Sequence, residues 1–291
     1  MFLEQYKITD ATNLDDDPCF SSSDSYPNFQ VELKEFKDLL LRLVTEQSSK
    51  TFYKFGDGDY FFLKKENVGS ATPGRRALSL NYDEINHNSF VEGAKLNDYY
   101  TVELYPRNRQ KFNEVLPDRK INYPAEYGYG LVANRWLTKT FAGKIGLIGA
   151  KPKLELIQNM VSHKEYQDYL GLDQFEDYIH IPQKFACDDI DATEKMVAEQ
   201  LDKSSAQIFL VGIGHVKSGL LHRLKKYRNA VFLDVGTGID ALGGLIDHHR
   251  PYMGDWTNYR VNSFDYDKLD ILQYDIWNTP HRMIEEEQLN A

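Results

Sequence analysis

Apolar residues follow a regular rhythm in the second half of the chain, from residue 144 onward. Segments with helical spacing alternate there with four short, almost continuously apolar runs: KIGLIGA, DYIHIP, AQIFLVGIG and AVFLDVG. Apolar runs of this length are typical of strands that are buried on both faces of a sheet. The pattern predicts an α/β fold of Rossmann-like type, with a mostly parallel sheet and helices on both faces.

The first half of the chain has a weaker pattern. Residues 31–47 carry apolar side chains at helical spacing and predict a helix, and the run TFYKF at 51–55 predicts a strand. Residues 70–140 contain helical patches and a loop rich in Tyr and Gly at 123–130. These patterns predict that the chain consists of a polar arm at 1–30, one domain at 31–260, and a tail at 261–291 that wraps the surface.

Composition narrows the class of protein. The 291 residues suffice for one large α/β domain, and the formal charge of −10 argues against a nucleic-acid binder, which normally presents a basic face. The two cysteines form no C-x-x-C pair, no stretch approaches eighteen apolar residues, and the first thirty residues lack the pattern of a signal peptide. We therefore expect a cytoplasmic protein without a membrane span.

Ligands of parallel sheets bind beyond the carboxyl ends of the strands. The turns that follow the predicted strands are therefore the candidate sites: GDGD, GAKPK, GIGHVKS and DVGTGID.

The first of these turns places Asp57 and Asp59 one residue apart, directly after an aromatic strand. Gly56 and Gly58 allow the backbone to turn sharply, so that both carboxylates face one point. Hard oxygen ligands of this type suit Mg²⁺ or Mn²⁺, which also bind phosphates. The alternative is an ordinary surface turn, for which Asp and Gly are favoured residues.

The turn GIGHVKSG, at 212–219, is a candidate phosphate site. Backbone N–H groups at a helix start, here those of Gly212, Gly214 and His215, can bind an anion together with the Lys217 ammonium and the Ser218 hydroxyl. The sequence falls short of a P-loop, because no Gly precedes Lys217, and of G-x-G-x-x-G, because Lys217 occupies the third glycine position. A tight turn with a solvated lysine is the alternative.

The turn DVGTGID resembles a methyltransferase fingerprint, but Asp240 replaces its last glycine. In that fold the fingerprint follows the first strand, whereas too little chain follows Gly236 to build the rest of such a sheet. In GAKPK, Lys151 is a further candidate for contact with a diphosphate, and we expect Lys153 to be solvated.

The segment DHHRPYMGDW concentrates polar chemistry after the last regular helix. Asp247 and His248 are candidate bases, and Arg250 is a candidate phosphate ligand. Adjacent histidines do not share a helix face, so a two-His zinc site there is not expected. A helix end with favourable cations near its carboxyl terminus is the alternative.

Taken in order, these stretches resemble the GT-D-type glycosyltransferases, over roughly residues 50 to 260. FYKFGDGDYF is similar to the R-Y-G-D-G-E-F stretch of that family, whose D-x-E motif binds a divalent metal and a nucleotide sugar. Asp57 matches the family Asp, and Asp59 stands where the family has Glu. The resemblance implies Mn²⁺ or Mg²⁺, a UDP-sugar donor such as UDP-glucose or UDP-xylose, and an acceptor that is an oligosaccharide or glycoprotein glycan.

The resemblance also suggests residue roles. A metal held by Asp57 and Asp59 would stabilise the leaving diphosphate, with Lys217 and Arg250 assisting. An inverting enzyme needs a base, for which Asp240, Asp247 and His248 are nominated in that order. The sequence is compatible with a homodimer and does not determine the oligomeric state. The alternatives to this function are an S-adenosylmethionine-dependent methyltransferase and a non-catalytic Rossmann-like binding protein.

The metal hypothesis predicts that Asp57→Asn nearly abolishes sugar transfer and leaves the fold intact, because one of the two predicted metal-binding carboxylates is lost. The check is turnover of a nucleotide-sugar donor in saturating Mn²⁺, with circular dichroism as the control for folding. Wild-type turnover in the variant would remove the metal role from this pair.

Overall fold

The computed structural model describes residues 29–65, 87–103, 106–245, 259–269 and 282–284. In this part of the chain, seven strands form one sheet in which every paired neighbour is parallel. The strands are β1 (Lys50–Phe55), β2 (Tyr99–Val102), β3 (Tyr123–Pro124), β4 (Ile145–Ala150), β5 (Tyr178–Ile181), β6 (Ile208–Gly212) and β7 (Val231–Asp234). Their spatial order is β3-β2-β1-β7-β6-β4-β5.

Helices cover both faces of the sheet, which confirms the predicted fold class. They are α1 (Phe29–Thr45), α2 (Asp57–Leu63), α3 (His87–Lys95), α4 (Pro106–Val115), α5 (Ala125–Ala133), α6 (Trp136–Thr140), α7 (Lys151–Val161), α8 (Lys164–Leu170), α9 (Ile190–Leu201), α10 (Lys217–Leu220) and α11 (Gly238–Leu242).

Two hydrophobic clusters lie on opposite faces of the sheet, because successive side chains of a strand point to opposite faces. Phe52 and Leu210 belong to the first cluster, and Tyr53 and Phe209 belong to the second. The helices after the strands alternate between these clusters: α11 and α7 pack in the first, whereas α2, α10 and α9 pack in the second.

This alternation opens a crevice along the carboxyl edge of the sheet. The neighbouring strands β1, β7, β6, β4 and β5 are followed in turn by helices on opposite faces, so the chain diverges after each strand. A crevice of this kind is where open α/β sheets bind ligands.

The structure corrects three predictions in the first half of the chain. GDGD is not a simple turn, because helix α2 begins at Asp57 and the Asp59 carboxylate accepts the Gly56 N–H at 2.8 Å. The helical pattern before residue 103 corresponds only to α3, which ends at Lys95. Residues 99–102 form strand β2 beside β1 instead of continuing a helix. The predicted loop at 123–130 is strand β3 followed by α5.

Helix α5 was missed for a physical reason. All nine of its residues are buried, so it shows no apolar stripe against a polar face, and periodicity cannot reveal it. The spacing of apolar residues in HVKSGLLHRLKKY, after β6, predicts one helix. The structure differs there, because only the turn Lys217–Leu220 is α-helical, between two 3₁₀ segments, Gly214–Val216 and Leu221–Lys226.

The described parts of the tail pack on the domain. Tyr259–Arg260 (β8) pairs in parallel with Arg282–Met283 (β9), and Val261, Tyr266 and Ile284 are buried in the first cluster. The boundary at residue 261 stays a prediction, and the arm at 1–30 lies almost entirely outside the described residues. Within those residues, the helices are too short or too polar to cross a membrane.

Gly93 in α3 is the contact point with α10, and it supplies a test of this packing. A Cβ at residue 93 would lie 2.3 Å from the Ser218 carbonyl oxygen, whereas a Cβ at Gly128 in α5 would meet its nearest neighbour, Val235, at 3.9 Å. We expect Gly93→Ala to lower the free energy of unfolding by about 1–3 kcal/mol, because backbone must move. Gly128→Ala, the matched control, should be neutral or stabilising. Equal urea midpoints for the two variants would contradict this packing.

Candidate functional site

A cleft of about 360 Å³ lies at the carboxyl edge of the sheet. Its lining comes from the residues that end or follow β1, β2, β4, β5, β6 and β7. The cleft therefore occupies the crevice that the alternating helices open.

An ion network joins three of these strand ends. The Lys217 ammonium lies 2.9 Å from Asp234 Oδ2 and 3.2 Å from Asp59 Oδ2, and it also donates to the Lys54 carbonyl oxygen. All three side chains are nearly inaccessible to solvent, with exposed fractions of 7% or less. The ammonium therefore has one hydrogen-bond acceptor and two carboxylate oxygens around it within the protein. Lys217 is therefore an internal counter-ion rather than a free phosphate ligand.

The carboxylates of this network are fixed by further donors. Asp59 accepts hydrogen bonds from the Tyr53 hydroxyl at 3.1 Å and from the Gly56 N–H, while Asp234 accepts from the N–H groups of Lys54 at 3.1 Å and Gly236 at 3.0 Å. These contacts join the ends of β1 and β7, so the position of one strand end determines that of the other.

Burial and charge act in opposite directions on Asp59. Burial favours the neutral acid, but the positive charges of Lys217 and Lys54 outweigh it, and the pKa of Asp59 lies below its usual value. For Tyr53, burial and the neighbouring Asp59 charge act together and raise the pKa of the phenol well above its usual value. Near neutral pH the network is therefore an ionised carboxylate held by a neutral phenol and an ammonium.

A second charged group lies beside the network. The Lys54 ammonium is 3.5 Å from Glu103 Oε1 and 5.2 Å from the centre of the Tyr129 ring. Glu103 is held in turn by the side-chain amide of Asn108 at 2.6 Å. Lys54 thus projects into the cleft from within β1, on a support of one carboxylate and one aromatic face.

A third pair lies at the other side of the cleft. Lys153 in α7 contacts the carboxylate of Asp240 in α11, and the two side chains are 21% and 7% exposed. Lys151, two residues earlier, does not line the cleft; its side chain is 63% exposed and lies 3.8 Å from Glu155. Lys153, which was expected to be solvated, thus lines the cleft, whereas Lys151, which was expected to contact a diphosphate, is exposed. The two side chains point in different directions because two residues of a helix correspond to a rotation of about 200°.

The structure brings together eight of the residues predicted from the sequence. They line the cleft: Gly56, Gly58, Asp59, Gly212, Gly214, His215, Lys217 and Asp240. Ser218 does not join them, since its hydroxyl is fully buried at 2.8 Å from the Tyr53 hydroxyl. Asp57 begins α2, but its side chain lies outside the described structure, as do Asp247, His248 and Arg250. Their roles stay predictions.

The predicted metal site can be tested against these contacts. Both oxygens of Asp59 already accept hydrogen bonds, and Lys217 already supplies a positive charge next to them. Among the described residues, no cluster of three or more His, Cys, Asp or Glu side chains is arranged to bind a metal ion. Asp59 is thus held by protein donors and by Lys217, and its role as a metal ligand stays a prediction together with that of Asp57.

Besides Lys153, three charged residues of the cleft were not predicted: Lys54, Glu103 and Asp234. Lys54 and Asp234 carried a usable signal, since a charge inside or at the end of an otherwise apolar strand requires a partner. Glu103 follows β2, which the sequence did not reveal as a strand.

No protein-family model matches the chain, and no curated protein matches it. Among solved structures, a glycosyltransferase from Streptococcus sanguinis of the domain of unknown function 1792 is similar, with 15% identity and a TM-score of 0.44 over 70% of this chain and 81% of that one. A second structure of this domain, described as having a distinct glycosyltransferase fold, shows 14% identity and a TM-score of 0.47 over 82% of this chain and 92% of that one.

The ion network predicts that Lys217→Met lowers the free energy of unfolding by about 3–5 kcal/mol at neutral pH, because two buried carboxylates lose their cation. Urea unfolding is the measurement. Lys151→Met, which changes an exposed lysine, is the control and should shift stability by less than about 0.5 kcal/mol.

The difference between wild type and Lys217→Met should also depend on pH. A carboxylate with a lowered pKa contributes stability that is present above its unfolded-state pKa, roughly 4, and is lost as the pH falls through the folded-state value. The two proteins should therefore converge in stability below about pH 4. A difference that is constant from pH 3 to pH 7 would contradict the ion pair.

Proposed function

We propose that this protein is a glycosyltransferase that moves a sugar from a nucleoside-diphosphate sugar to a glycan acceptor. The proposed donor is a UDP-sugar. The observation that carries the proposal is the set of lysines and carboxylates at the strand ends of one cleft, in a fold whose crevice suits a nucleotide. The resemblance of the sequence to the GT-D-type enzymes agrees with it.

The diphosphate of the donor needs positive charge as the glycosyl bond breaks. Lys54 and Lys153 can supply it, because both line the cleft and each is supported by one carboxylate, Glu103 and Asp240 respectively. Lys217 acts indirectly in this scheme: it holds Asp59 and Asp234, and through them the turns after β1 and β7. The turn after β6, predicted from the sequence to bind an anion through its backbone N–H groups, completes this scheme.

Among the described residues, Asp240 is the nominated base that lines the cleft. An inverting transfer requires a group that accepts the proton of the acceptor hydroxyl, and a carboxylate can do so. Its contact with Lys153 adds a physical link: a diphosphate bound to Lys153 competes with Asp240 for the same ammonium. In this scheme, donor binding leaves the Asp240 carboxylate available to the acceptor.

The requirement for Mn²⁺ or Mg²⁺ stays a prediction that rests on Asp57 and Asp59, which would hold a metal that stabilises the leaving diphosphate. The choice of sugar, with glucose and xylose as candidates, belongs to the same proposal and rests on the family resemblance.

A donor-binding experiment tests the proposal. UDP-, GDP- and TDP-sugars are compared by thermal shift with and without Mn²⁺, and bound donor is assayed for hydrolysis. We expect UDP-sugars to raise the melting temperature, and Lys153→Ala to weaken donor binding about tenfold or more, because a charged hydrogen bond is lost. Lys151→Ala is the matched control and should bind the donor as the wild type does.

Two outcomes would overturn the proposal. Stabilisation by S-adenosylhomocysteine and none by any nucleotide sugar would favour the methyltransferase alternative. Binding of UDP-sugars without hydrolysis or transfer in any condition would favour a non-catalytic binding protein.

A further inference from the structure

Helix α11, which carries Asp240, is a helix of five residues that ends directly behind the cleft. The Asp240 carbonyl oxygen accepts the Leu245 N–H at 2.9 Å, and the Ala241 carbonyl oxygen accepts the Gly244 N–H at 2.9 Å. Gly244 is left-handed, with φ at +69°. These bonds form a Schellman motif, in which the residue just past a helix turns the chain away. Because α11 is so short, the same residue lines the cleft with its side chain and takes part in the helix end with its backbone.

Two side chains from other segments bind the carboxyl end of α11. The hydroxyl of Tyr166, in α8, donates to the Leu242 carbonyl oxygen at 2.6 Å. The guanidinium of Arg260, in β8, donates to the Gly244 carbonyl oxygen. Carbonyl groups at a helix end have no partner within the helix, so donors from outside are needed to hold them. The end of α11 is therefore fixed both by the domain and by the tail.

Arg260 joins the tail to α11 through a single nitrogen atom. That nitrogen also donates to the Tyr259 carbonyl oxygen at 2.9 Å, and the guanidinium lies 5.5 Å from the centre of the Tyr266 ring. The two backbones approach so closely that a Cβ at residue 244 would lie 2.1 Å from the Tyr259 carbonyl oxygen. The contact between tail and turn therefore leaves no room for a side chain at Gly244.

The burial of Arg260 indicates what the side chain contributes. The residue is 4% exposed, and an aliphatic side chain would fill the same space without the cost of removing a charge from water. A guanidinium adds donors in a rigid, planar arrangement, which fix the direction of the groups they bind. Arg260 thus determines the orientation of the turn in addition to filling the core.

We propose that Arg260 is a positioning residue for Asp240: together with Tyr166 it holds the end of α11, and thereby sets where the Asp240 carboxylate lies in the cleft. Neither Arg260 nor Tyr166 lines the cleft, so both act through the helix. A base must lie within hydrogen-bond distance of the proton that it accepts, and a displacement of about 1 Å can lower a rate about 100-fold. This inference rests on the proposed function, in which Asp240 is the base.

The experiment measures hydrolysis of UDP-glucose and UDP-xylose, together with hydrogen exchange of the backbone N–H groups at 238–245. We expect Arg260→Met to lower kcat about 10- to 100-fold and to leave the donor KM within about threefold, because Asp240 is displaced while Lys54 and Lys153 remain. Tyr166→Phe keeps the ring and loses one hydrogen bond, so it should lower kcat about three- to tenfold. Exchange at 238–245 should be faster in both variants than in the wild type.

Tyr266→Phe is the matched control in the same tail. It removes the hydroxyl that accepts the Val261 N–H at 3.1 Å and keeps the ring beside Arg260. We expect this variant to be less stable than the wild type in urea, yet to retain the wild-type kcat and the wild-type exchange at 238–245. A loss of stability alone is thereby separated from a displaced base.

The two readouts separate this inference from the proposed function. If exchange at 238–245 is the same in Arg260→Met, Tyr166→Phe and Tyr266→Phe, the two donors do not hold the turn and the inference is wrong, while the glycosyltransferase proposal stands. Faster exchange with an unchanged kcat, or a rise in donor KM that accounts for the whole loss of activity, would also overturn the positioning role. If the wild type hydrolyses neither donor, the proposed function fails with those donors, and the positioning role fails with it.

Discussion

The ammonium of Lys217 between Asp59 and Asp234 is the interaction on which the candidate site depends. It joins the helix turn after β6, the helix after β1 and the last residue of β7, three segments that are distant in the chain. Because these groups are removed from solvent, each charge is tolerable only while its partners are present. The network therefore fixes the strand ends, and through them the width of the cleft.

The fold places this network at the crevice by the way its helices alternate. Helices after neighbouring strands pack into different hydrophobic clusters, so the chain separates just beyond the carboxyl edge of the sheet. Gly212 illustrates how close the turns still remain, since a Cβ there would lie 2.8 Å from the Gly236 carbonyl oxygen. The backbones of the β6 and β7 turns are thus packed directly against each other at this edge.

Charge in the cleft is organised in pairs. Lys54 lies beside Glu103, Lys153 beside Asp240, and Lys217 between its two carboxylates, so the positive groups are oriented before any ligand binds. Preorientation of this kind lowers the cost of binding a polyanion, because the side chains are already ordered. Lys217 differs from the other two lysines in lying between two buried carboxylates, which makes it a structural cation.

The sequence by itself determined the α/β class and the ligand edge, because buried strands and amphipathic helices leave a repeating pattern and parallel strands end at one edge. It also located Asp59, Asp240 and the β6 turn. Only the tertiary structure decided the partners: that Lys217 is paired internally, that Lys153 and not Lys151 reaches the cleft, and that α5 is a helix. These outcomes depend on contacts between residues far apart in the chain and on complete burial, and neither leaves a periodic signal in the sequence.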